Sequence, residues 1–67
     1  MTVYVNDRKH SVSDICNIDM LLDNIGLNEK KGIAVAVNYE VIPKKDWDNN
    51  YLKENDKILV IRATQGG

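Results

Sequence analysis

The chain has 67 residues, 43% hydrophobic and 28% charged, with Lys+Arg 9 against Asp+Glu 10 and a formal net charge of −1. A single core of that size contributes only about 3–5 kcal/mol of net stability, which excludes a second domain and a deep enclosed cleft. The balanced charge lacks the concentrated basic face that nucleic acid requires, and no run approaches the roughly 20 apolar residues of a membrane span.

The amino-terminal residues show no basic head followed by an apolar stretch, so a secretory leader is not expected. The one cysteine, Cys16, cannot form an internal disulfide, and a reducing, cytoplasmic location is the expectation.

In chain order, residues 2–5 alternate β-branched and aromatic side chains, and Asn6-Asp7-Arg8 follows as turn chemistry. Residues 9–13 then return as a second short strand, because Asn and Asp tolerate the positive φ that a tight hairpin needs. A helix comes next, capped by Asn17, with Asp19 in the first turn and Gly26 as a left-handed stop. Ile18, Leu21, Leu22 and Ile25 recur at spacings of three and four and form its apolar stripe.

Residues 32–38 read as a strand with Ile33, Val35 and Val37 on one face and Ala34 and Ala36 on the other. The bulkier face is expected to meet the helix. Tyr39-Glu40 reads as a turn, and Val41-Ile42 as a short strand ended by Pro43, which cannot donate to a ladder. Residues 44–50 form an irregular or one-turn helical excursion in which Trp47 plugs the loop onto the core. Glu54-Asn55-Asp56 is a polar turn, and residues 57–62 form the last strand. This order gives an α+β, two-layer domain with one helix across one face of the sheet.

Two features exceed what such a domain needs. Ile58-Leu59-Val60-Ile61 is apolar on both faces of a strand, although one helix covers only one side of the sheet. If Ile58 and Val60 face the helix with Val3 and Val5, then Tyr4, Leu59 and Ile61 lie on the open face as a docking patch. The second feature is Ala63-Thr64-Gln65-Gly66-Gly67, which has no apolar periodicity to hold it down. Residues 1–62 are therefore expected to be the folded domain and 63–67 a flexible diglycine tail. Gly-Gly threads a channel wide enough only for backbone, and a glycine carboxylate is minimally hindered.

Other candidates are weaker. Cys16 sits beside the helix start, where a dipole can lower a thiol pKa, but has no His or second Cys in a motif and reads as filler. His10 lacks partners at metal-ligand spacing. No phosphate loop or nucleophile motif is present.

Ile33-Ala34-Val35-Ala36-Val37-Asn38, Val41-Ile42-Pro43-Lys44, Trp47, Asn55-Asp56 and Gly66-Gly67 together resemble the ThiS family of thiamine-biosynthesis sulfur carrier proteins. The resemblance covers the whole chain and is strongest from Ile33 onward. It departs where the family's usual glycine before the aspartate is Asn55, and where the basic residue after Pro43 is lysine rather than arginine.

The resemblance implies a ubiquitin-like β-grasp fold and a chain that is no enzyme itself but a recycled cosubstrate. A ThiF-type adenylating enzyme, using ATP and Mg, would activate the Gly67 carboxylate, which is ionised at neutral pH and a poor electrophile. Sulfur from a cysteine desulfurase relay would give a thiocarboxylate that a ThiG-type thiazole synthase consumes. Gly67 is then the reacting residue, with Gly66, Gln65, Thr64, Leu59, Ile61 and Tyr4 as partner-binding positions. No cofactor or metal is expected on the chain. The alternatives are a molybdopterin synthase small subunit or another sulfur carrier, a ubiquitin-like modifier, and a plain interaction module.

Overall fold

The structure is a computed structural model that describes residues 1–27 and 31–62. Strands β1 (Thr2–Val5) and β2 (Arg8–Ser11) form an antiparallel hairpin. Helix α1 (Ile18–Asn24) follows, then β3 (Ile33–Val37), β4 (Glu40–Ile42), a 3-10 segment (Lys44–Asn49) and β5 (Lys57–Arg62). The sheet order is β2-β1-β5-β3-β4. β1 runs parallel to β5, and the other neighbouring pairs are antiparallel. The last strand thus inserts beside the first, and the sheet is mixed.

The turns follow from backbone chemistry. Asn6 and Asp7 have φ of 51° and 68°, and Asn38 and Tyr39 have 50° and 71°. Paired positive φ values are what a two-residue hairpin needs to match strand twist. Three boundaries therefore shift from the sequence reading. The first turn holds only Asn6-Asp7, with Arg8 already in β2; β2 ends at Ser11; and the second turn is Asn38-Tyr39, with Glu40 opening β4.

Asn17 caps α1 by accepting from the Met20 N–H at 2.7 Å, and its own amide donates to the Asp48 carbonyl at 3.0 Å. At the other end Leu27 N–H donates to Leu22 O at 2.8 Å and Gly26 N–H to Asp23 O at 3.1 Å. With Gly26 at φ 86°, this is a Schellman stop.

Val3, Val5, Cys16, Ile18, Leu21, Leu22, Val35, Trp47, Leu52 and Ile58 form the core between sheet and helix. Trp47 fills the corner between α1 and the sheet, and its Nε1–H donates to the Ile42 carbonyl at 3.0 Å. That bond lets a large amphipathic ring be buried without an orphaned donor. Among the described residues, no helix is long and apolar enough to cross a membrane.

Candidate functional site

Alternation along the strands sorts every side chain to one of two faces. The helix-facing set, Val3, Val5, Val35 and Ile58, is buried. The opposite set includes Tyr4 on β1, Lys9 on β2, Lys57, Leu59 and Ile61 on β5, Ala34 and Ala36 on β3, and Val41 on β4. Leu59 is 47% exposed, Ile61 53% and Val41 70%.

Register explains the relief of this face. Leu59 pairs with Ala36, Ile61 with Ala34, and Ala36 with Val41. Two small side chains on β3 therefore run between taller ones on β5 and β4, leaving a shallow apolar furrow. Ala36 is only 8% exposed because its taller neighbours shade it.

At the other end of the face, Tyr4 pairs with Lys9 on one side and Lys57 on the other. Tyr4, Asn6, Asp7, Tyr39, Lys57, Ile58 and Leu59 line a groove of about 180 Å³. Tyr39, 88% exposed, is at the far side of this groove on the β3–β4 turn.

Of the residues expected to dock a partner, Tyr4, Leu59 and Ile61 thus share the uncovered face. Thr64, Gln65, Gly66 and Gly67 lie outside the described residues. The sequence reading did not single out Val41 and Tyr39. Val41 was recoverable, because Ile42 beside it faces inward and forces Val41 outward. Tyr39 was not, because an aromatic residue is disfavoured at positive φ.

Cys16 contributes no reactive thiol. It is 3% exposed, and burial pushes its pKa above the ordinary value, with partial relief from the amino-terminal charge. Desolvation outweighs any help from the neighbouring helix end. His10 joins no cluster: among the described residues no group of three His, Cys, Asp or Glu could hold a metal.

A mixed five-stranded sheet with a parallel central pair, wrapped over one helix on one side and apolar on the other, defines a ubiquitin-like β-grasp module. The chain belongs to the ThiS family, whose sequence model matches residues 2–67. It is 24% identical over 67 residues to the sulfur carrier protein ThiS of Escherichia coli, covering 100% of both chains. A thiazole synthase from Paramagnetospirillum magneticum is 25% identical over 67 residues, all of this chain but 20% of that protein. The crystal structure of the thiamine biosynthesis protein ThiS from Geobacter metallireducens superposes with a TM-score of 0.85 at 23% identity, covering 100% of both chains. That likeness establishes the fold.

Proposed function

We propose that this chain is a sulfur carrier for the thiazole moiety of thiamine, with the Gly67 carboxylate as the loading point. The observation that carries the reading is the family match across residues 2–67, which takes in Gly66 and Gly67. The relatives named above supply the pathway: one is a sulfur carrier, and the other is a thiazole synthase that contains a segment like this chain.

The chemistry runs through the partners' active sites. A carboxylate oxygen of Gly67 attacks the α-phosphorus of ATP and pyrophosphate leaves, giving an acyl adenylate. Magnesium and basic groups of the adenylating enzyme stabilise the charge on the phosphates. The terminal sulfur of a persulfide delivered from a cysteine desulfurase relay attacks the acyl carbon, and AMP departs. A thiol then cleaves the S–S bond and leaves a thiocarboxylate, which thiazole synthase uses. This chain supplies the acyl group and the docking face, and its residues do no acid–base work. Side-chain-free Gly66 lets the end pass through a narrow channel, and the exchange between enzymes takes place in the cytoplasm.

Mass spectrometry of the chain purified from its native host tests this. A mass increase equal to the difference between sulfur and oxygen, located on Gly67, is the expected result. Isopeptide conjugates to other proteins would instead indicate a modifier. An otherwise intact chain that never gains sulfur, even with adenylating enzyme and desulfurase present, would overturn the reading.

A further inference from the structure

Strand β5 is gripped at two points by asparagine side chains from neighbouring turns. Asn38, at φ 50° in the β3–β4 turn, accepts from Lys57 N–H through its Oδ1 at the start of the strand. Asn6, at φ 51° in the β1–β2 turn, grips Val60 nearer the end. There Oδ1 accepts from Val60 N–H at 2.9 Å and Nδ2 donates to Val60 O at 3.2 Å. Each asparagine holds the first positive-φ position of its turn. One amide thus secures the entry of β5 and the other its exit.

The exit needs such a contact because β5 is flanked on both sides only along its first part. Backbone pairing with β1 stops at Val5 opposite Ile58, whereas β3 continues to Ile33 opposite Arg62. Asp56 O and Ile58 O accept from the N–H groups of Tyr4 and Asn6, so the even-numbered residues of β5 address β1. By that alternation the backbone of Arg62 points to the same side, past the place where Asn6 and Asp7 turn β1 away. The Asn6 amide extends the two-sided hold by one step, to Val60. Five residues follow Arg62 and end at Gly67. Their greatest reach is about 17 Å, so a swing of about 10° at the exit displaces the far end by about 3 Å.

We propose that Asn6 is a positioning residue for the loading of Gly67: its amide fixes the direction in which β5 leaves the domain. This role rests on the sulfur-carrier reading, with the adenylating enzyme as the partner concerned. The reaction joins a Gly67 carboxylate oxygen to the α-phosphorus of ATP as pyrophosphate leaves, and its rate depends on how those two atoms approach. A misplacement of about 1 Å can cost about a hundredfold in such a step. Asn6 touches neither atom and acts through Val60. Loosening the exit leaves the domain able to dock but spreads the carboxylate over orientations of which few are reactive. The effect therefore falls on the limiting rate and not on half-saturation. Asparagine suits the task because it tolerates the positive φ of the turn and carries both a donor and an acceptor.

Single-turnover formation of the acyl adenylate by the adenylating enzyme, over a range of full-chain concentrations, tests this role. Asn6→Gly keeps the positive φ and loses the grip on Val60, and Asn38→Gly makes the matching change at the strand's entry. Asn6→Gly is expected to lower the limiting rate about tenfold, with half-saturation within about twofold of wild type. Asn38→Gly is expected to keep both values. Asn6→Asp retains an acceptor for Val60 N–H and is expected to give an intermediate rate. Thermal unfolding confirms that each variant is folded at the assay temperature. A wild-type limiting rate in Asn6→Gly, an equal fall in both glycine variants, or a rise in half-saturation alone overturns the positioning role and leaves the carrier reading intact. A wild-type chain that the enzyme never adenylates overturns both.

Discussion

The side chain of Asn6 acts as an additional strand residue toward Val60. Its Oδ1 accepts from Val60 N–H at 2.9 Å and its Nδ2 donates to Val60 O at 3.2 Å. The backbone N–H of Asn6 meanwhile donates to Ile58 O at 2.9 Å. Backbone pairing of β1 with β5 covers only Tyr4 with Lys57 and Val5 with Ile58. The amide therefore extends the central parallel pairing toward the end of β5 after β1 has turned away.

Asn6→Gly keeps the positive φ and loses the amide, which should cost about 1–2 kcal/mol for two exposed hydrogen bonds. Asn6→Ala loses the amide and also strains the turn, so it should cost about 1 kcal/mol more. Urea unfolding of both variants measures the two contributions separately. Equal loss in both would mean that φ contributes nothing at this position.

Tyr39 should behave in the opposite way. It is 88% exposed at φ 71°, so its ring gains little from burial while its backbone is strained. Tyr39→Gly should stabilise the fold by about 0.5–1 kcal/mol, the left-handed penalty less the entropy cost of glycine. Tyr39→Ala keeps the strain and should stay within about 0.5 kcal/mol of wild type. Chemical denaturation of the pair decides this, and a destabilised glycine variant would show that the ring contributes to the fold.

These two residues show what the sequence carried and what it did not. Helix α1 was legible from its stripe, its Asn17 cap and its Gly26 stop, because each is a local signal with one structural meaning. The partition of β5 was legible from alternation: once Ile58 must face the helix, Leu59 and Ile61 must face away. The place of β5 beside β1 has no local signature and came from the resemblance. The dual use of Asn6 and Asn38 was hidden for the same reason. Asn38 Oδ1 accepts from Lys57 N–H at 3.0 Å and its Nδ2 donates to Asp56 at 3.0 Å, contacts that exist only after distant strands meet. The furrow needed the registers of β3 with both neighbours, which no reading of β3 alone provides.

The buried Cys16 thiol makes stability depend on alkaline pH. Its folded pKa lies above the ordinary value because burial disfavours the thiolate. The folded state therefore holds its proton where the unfolded chain has released it. This contribution is fully present below the unfolded value of about 8.5 and is lost as pH rises through the folded value. Above the unfolded value and up to the folded one, wild type should lose stability more steeply than Cys16→Ala, whose absolute stability is lower from the lost packing. Urea midpoints from pH 7 to 10 give the two slopes, and parallel slopes would contradict the burial argument. A thiol reagent at neutral pH should modify the native chain far more slowly than the unfolded one.

Exposure of the open face lets its proposed docking role be tested apart from folding. Leu59, Ile61 and Val41 already give up roughly half or more of their possible burial, so a carboxylate at any of them stays hydrated. Leu59→Asp and Ile61→Asp should change unfolding free energy by no more than about 0.5–1 kcal/mol. On a partner the same substitutions bury an unpaired charge in the furrow, which costs about 3 kcal/mol or more, and they should weaken binding at least a hundredfold. The loss should appear chiefly in the dissociation rate, where removal of an apolar contact acts. Leu59→Asp faces Ala36 near the middle of the furrow, whereas Ile61→Asp faces Ala34 near the strand exit. If a partner covers the whole furrow, both variants fail alike. If it grips only the end from which residue 63 departs, Ile61→Asp fails and Leu59→Asp retains affinity. Calorimetric titration of each variant into thiazole synthase, with a matched unfolding curve, distinguishes these cases, and wild-type affinity in both would remove the face from the interface.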